Sequence, residues 1–130
     1  ASELTENDSN GFVDVFLRDR QSGTTTLISK TRVGRSGNGA STTPLISEDG
    51  RYIVFTSAAS DLVDGDANGA SDIFWFDRQT QEMRLVSRAS SGTASGNAAS
   101  ANPVMSADGR FVVFTSVASD LVAGDTNGVQ

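Results

Sequence analysis

Hydrophobic side chains fall in short runs separated by polar, glycine-rich stretches, and no run of useful length carries a helical period. Arg51 to Ser57 (RYIVFTS) and Asp72 to Asp77 (DIFWFD) are apolar without polar alternation, as expected of strands covered on both faces. Val13 to Arg18 (VDVFLR) sets Val13, Val15 and Leu17 on one face and Phe16 on the other. Thr24 to Ser29 (TTTLIS) is β-branched enough to be its returning strand, across a turn in which Gly23 can take a positive φ. Pro44 to Ser47 (PLIS) reads as a short strand opened by proline, because a strand start need not donate to the ladder. Asp49-Gly50 then gives a two-residue hairpin signal, and Met83 to Arg88 closes a four-strand unit. Residues 30–43, 58–71 and 89–102 are rich in small and polar residues and read as long connections.

The pattern restarts at Pro103 to Ser106, Asp108-Gly109 and Phe111 to Ser116, 59 residues after its first appearance. A second signature, D-x-N-G, recurs at Asp8, Asp66 and Asp125 with nearly the same step. A period of this size, with four antiparallel strands and a doubly apolar middle pair, predicts an all-β fold of β-propeller blades. Lettering the strands of a blade A to D, the chain reads C-D, A-B-C-D, A-B. Residues 1–43 are a half blade with its loop, 44–102 a complete blade, and 103–130 the opening half of another.

Repeats bury their apolar faces against neighbours, and about three or more are usually needed. The expectation is therefore either a piece of a larger propeller or a homo-oligomeric ring closed by self-association. In the ring, Phe111, Val112, Val113 and Phe114 of one copy would pair with Val13, Val15, Phe16 and Leu17 of the next. Two blades per copy, with about four to eight blades in a propeller, make the expected assembly a trimer or tetramer, the trimer favoured.

The paired segments PLISEDGRYIVFTS and PVMSADGRFVVFTS, SDLVDGDANG and SDLVAGDTNG, DVFLRDRQ and DIFWFDRQ resemble the TolB-type repeat of bacterial β-propellers in a longer-loop form. The resemblance spans nearly the whole chain. It implies a non-enzymatic scaffold for protein or ligand interaction, exported to the periplasm, secreted or held at the cell surface, and binding a protein or glycan on its long-loop face. One departure is Gln81 where the first repeat has Gly23, so that turn must change type or hold a non-glycine residue in the left-handed region at about 1–2 kcal/mol.

Composition narrows the chemistry. Net charge is −6 with no basic cluster, which argues against nucleic acid and anionic membrane surfaces as partners. No apolar run approaches the roughly 20 residues of a membrane span. The absence of cysteine and histidine removes thiol catalysis, thiolate and imidazole metal sites and the Ser-His-Asp arrangement, so the expectation is no enzyme. The sequence opens at Ala1 without an apolar leader, so any export signal is expected to have been removed or to lie outside it.

One motif suits a cation. Asp64, Asp66, Asn68 and Asp72 place oxygens at positions 1, 3, 5 and 9 of a loop with Gly69 at position 6, a calcium-type spacing, and Ca2+ is the one cofactor the sequence offers. The first repeat supplies Glu6, Asp8, Asn10 and Asp14, with a longer side chain at position 1; the last has Ala123 there. Affinity is expected to fall in that order. The competing reading is structural: Asp and Asn close tight turns through Asx hydrogen bonds, and Asp14 and Asp72 tie loop amides. Phe74, Trp75 and Phe76 read either as an aromatic platform for sugars or as inter-blade core, and consecutive strand positions alternate faces in favour of core.

Overall fold

The computed structural model describes residues 4–126. Eight strands run antiparallel: β1 (Phe16–Asp19), β2 (Thr24–Leu27), β3 (Ser41–Ile46), β4 (Tyr52–Ser57), β5 (Asp72–Asp77), β6 (Glu82–Leu85), β7 (Ser100–Met105) and β8 (Val112–Ser116). They form three open sheets, β1-β2, β3-β4-β5-β6 and β7-β8, and no helix occurs among the described residues. The all-β class expected from the sequence holds, as does its grouping of strands into two, four and two.

The complete sheet is built around the β4–β5 ladder, in register from Tyr52 opposite Asp77 to Ser57 opposite Asp72. Ile53, Phe55, Phe74 and Phe76 share one face, and Val15 and Ile28, which flank the β1-β2 sheet, close over it with Ala59, Leu62 and Leu85. Phe55 and Phe74 stack with ring centroids 5.8 Å apart. On the opposite face Val54 is fully buried, Tyr52 stacks on Trp75 at 5.0 Å, and the β7-β8 sheet lies across them. The unalternating apolar runs are thus explained by burial on both sides. Trp75 fills an inter-sheet layer, capped by the Arg84 guanidinium 5.6 Å from its ring.

Strand ends depart from the sequence reading for local reasons. β3 and β7 begin at Ser41 and Ser100, three residues before the prolines expected to open them. Pro44 and Pro103 have no N–H to give, and the ladder skips them through register shifts between Thr42 and Leu45 and between Ala101 and Val104. Thr43 and Asn102, just before each proline, take φ of 50° and 54°. β1 begins at Phe16 rather than Val13, whose side chain is exposed. At this end the Ser29 hydroxyl replaces a ladder carbonyl and accepts the Val15 N–H at 3.0 Å. Ser87 does the same for Ile73, so β6 ends at Leu85 rather than Arg88. Gln81 adopts φ 60°, the left-handed conformation that Gly23 has at the equivalent turn.

Candidate functional site

The two ends of the sheets differ. At one, short turns interlock: Arg51 holds Asp77 through two bonds of 3.0 and 2.7 Å, Arg78 donates to the Gly50 carbonyl, and Glu48 N–H donates to Ala107 of the next sheet. The Arg51 guanidinium keeps the Asp77 carboxyl far below the usual carboxylate range. The other end carries the long connections, and there the acidic loops meet the Ser-Gly-Asn segments Ser36–Asn38 and Ser95–Asn97.

Each Ser-Gly-Asn segment fastens two acidic loops. Asn38 N–H donates to Asp61, its amide donates to Ser60, and its carbonyl oxygen accepts the Ser60 N–H. Asn97 repeats the set on Asp120 and Ser119. From the other side, Asn10 donates to the Gly37 carbonyl and Asn68 to the Gly96 carbonyl, each at 2.7 Å. Ser9 N–H reaches the Ser36 hydroxyl, as Ala67 N–H reaches Ser95. The packing leaves no slack: a Cβ on Gly37 would stand 2.9 Å from Leu62 Cδ2, and one on Gly96 2.8 Å from Leu121 Cδ2. The segment 58–71 is therefore anchored by Ala59 and Leu62, both fully buried.

Of the four residues expected around a cation, Asp66, Asn68 and Asp72 are brought together and Asp64 is not. Asp64 is 89% exposed at its side chain and pairs with Arg32 at 2.9 Å. Asp72 is fully buried, accepting from Ser87 Oγ at 2.6 Å and from Asn68 Nδ2 at 2.8 Å. Asn68 Oδ1 accepts the Ala70 N–H, an Asx turn. Asp66 is 7% exposed and lies beside Asp72 and Ser95; no donor meets either of its oxygens in good hydrogen-bonding geometry, although the Ser95 hydroxyl is near enough to pull its carboxyl down. Burial, reinforced by the Asp72 charge, pushes the Asp66 carboxyl up to about 6; burial also raises Asp72, against the pull of Ser87 and Asn68.

The first repeat copies the arrangement in part, without a bond from Asn10 to Asp14 to match the one from Asn68 to Asp72. Asp8 is 4% exposed, Asp14 accepts from Ser29 Oγ at 2.6 Å, Asn10 Oδ1 accepts the Phe12 N–H, and Glu6 is exposed. In the third D-x-N-G copy, Asn127 and Gly128 lie outside the described residues. Among the described residues no group of three or more acidic, histidine or cysteine side chains converges on one point.

Serines 29 and 87 and the Ser-Gly-Asn segments were not singled out from sequence, although both recur at the repeat spacing. Ser87→Ala removes the acceptor of Ile73 N–H and the donor to a buried carboxylate, and should destabilise by about 1–3 kcal/mol in urea unfolding. A loss below about half a kcal/mol would mean that the hydroxyl bridge is dispensable.

No protein-family model and no curated protein sequence matches this chain.

Proposed function

We propose that the chain is a self-assembling unit of a β-propeller scaffold, non-enzymatic and of TolB type, whose rings form when β8 of one copy pairs with β1 of the next. The observation that carries this reading is the contrast between equivalent positions. Val54 is fully buried in the complete sheet while its counterpart Val113 is 69% exposed. Pro103 is buried where β7 crosses the complete sheet, and Pro44, its counterpart on β3, is exposed. Each apolar surface left open at one end of the chain is thus of the kind covered at the other.

The β4–β5 ladder supplies the template for the junction. Transposed by one repeat, Tyr52↔Asp77 becomes Phe111 opposite Asp19, Val54↔Trp75 becomes Val113 opposite Leu17, and Phe55↔Phe74 becomes Phe114 opposite Phe16. The Arg51–Asp77 pair becomes Arg110 on Asp19 across copies, and Arg110 already lies over the Phe111 ring at 4.9 Å, as Arg51 lies over Tyr52 at 4.8 Å. A groove of about 820 Å3 bordered by Trp75, Leu85, Arg88, Arg110 and Val112 sits where the incoming β1-β2 hairpin would pack. Val15 is already buried in its own core, so it contributes to the junction through its backbone edge. The long-loop end remains open in such a ring and is the surface offered to a protein or glycan ligand.

Light scattering at micromolar concentration should give a closed multiple of the 13.5 kDa chain, a trimer or tetramer. Val113→Lys, at a site exposed within one copy, should reduce the mass to a monomer without loss of strand content. A wild-type monomer with full strand content overturns the proposal.

A further inference from the structure

We infer that the acidic loops are cation sites: Asp66 with Asp72, and Asp8 with Asp14 one repeat earlier, each hold a hard divalent cation of the calcium type. The side-chain atoms buried without a hydrogen-bond partner among the described residues are Thr5 Oγ1, Asp8 Oδ2, Asp14 Oδ2 and both carboxylate oxygens of Asp66. Four of the five belong to the two copies of this loop, and Thr5 immediately precedes the first. A turn explains Asn68, whose oxygen and amide are satisfied within the protein, but it leaves Asp66 unexplained. A carboxylate withdrawn from water beside a second one is costly unless a positive group joins them. Among the described residues the cation paired with this loop, Arg32, is turned to the exposed Asp64 instead.

Two carboxylates provide the charge to neutralise a divalent ion, and main-chain carbonyls and water can complete its shell. Calcium tolerates an irregular set of six to eight oxygens, whereas magnesium demands a near-ideal octahedron. The carboxylates come from two different places, the acidic loop and the strand entrance beside it, so the ion would fasten the loop to β5. Asn68 serves here as a positioning residue, donating to Asp72 and to the Gly96 carbonyl rather than meeting the ion. This inference is independent of ring formation, because every group belongs to one chain.

The test is calcium chloride added to chelator-treated protein, read by calorimetry and by melting temperature. Two sites per chain are expected, with a rise of about 5 °C for each occupied site and about 10 °C in all at roughly ten times the dissociation constant. Asp66→Asn should melt higher than wild type without metal, since it neutralises an unpaired buried charge, and should lose one of the two sites. Asp8→Asn should lose the other, and Asp64→Asn should keep both. No heat and no melting shift in millimolar calcium overturns the inference, as does an Asp64→Asn variant that loses binding as fully as Asp66→Asn. Particle mass measured in chelator reports separately on the ring.

Discussion

Phe74→Ala should cost about 3–5 kcal/mol, a large part of the stability of a chain this size, measured as a shift in urea midpoint. Phe74 lies in the middle of the doubly covered sheet with no exposed surface, opposite Phe55 in the ladder and stacked on it. Removing its ring opens a void between two sheets that are fixed by their hydrogen-bonded ladders and cannot close over it. Val33→Ala is the control: that side chain is 81% exposed and its truncation should change stability by less than about half a kcal/mol. A loss at Phe74 below about 1 kcal/mol would contradict its burial between two sheets.

The second large effect separates two glycines that the sequence makes equivalent. Gly50 and Gly109 occupy the same Asp-Gly-Arg turn and both have φ of 73°. A Cβ on Gly50 would meet only the mobile end of Arg78 at 3.5 Å, whereas one on Gly109 would lie 2.2 Å from Tyr52 Cδ2 and 2.9 Å from Tyr52 Cβ. Both alanine variants carry left-handed strain of about 1–2 kcal/mol. Gly109→Ala must in addition force two sheets apart, for about 1–3 kcal/mol more. The comparison belongs in the Val113→Lys background, where the chain is expected to be monomeric; equal losses there would disprove the contact. In the wild-type background Gly50→Ala should impair assembly, because the ring would bring Phe111 of a neighbour to Gly50 as Tyr52 is brought to Gly109.

How much of this was legible in the sequence depended on where the structural signal lies. β5 was read at both ends because Asp72 and Asp77 bracket an apolar run and the ladder ends with them. β3 and β7 were started too late because proline usually marks a strand's opening, and the register shift that lets the strand run past it leaves only the uncommon Thr-Pro and Asn-Pro pairs as a trace. In the acidic loop the spacing grouped Asp64 with Asp66. Gly65, at φ 92°, turns the chain between them, so one side chain is buried and the other faces solvent. Spacing cannot reveal which way a left-handed glycine sends its neighbours. The polar stretches read only as long connections for a related reason: their order comes from side-chain clamps such as Asn38 and Asn97, which produce no hydrophobic period. Superposing the repeats would have exposed those clamps, since Ser36–Asn38 returns 59 residues later as Ser95–Asn97.

That shared three-residue rivet bears on how such a chain can grow. Each Ser-Gly-Asn segment grips the tail of one acidic loop and the head of the next, using the same donors and acceptors in both copies. Every joint therefore accepts any unit cut at the same phase, in the manner of a coupling between identical carriages. Excising or duplicating one whole period, for example by joining Thr43 directly to Pro103, removes or adds a complete set of couplings and leaves no half-gripped loop behind. A gene for such a protein can change its number of repeats in a single recombination event, with no compensating substitution at the new seam.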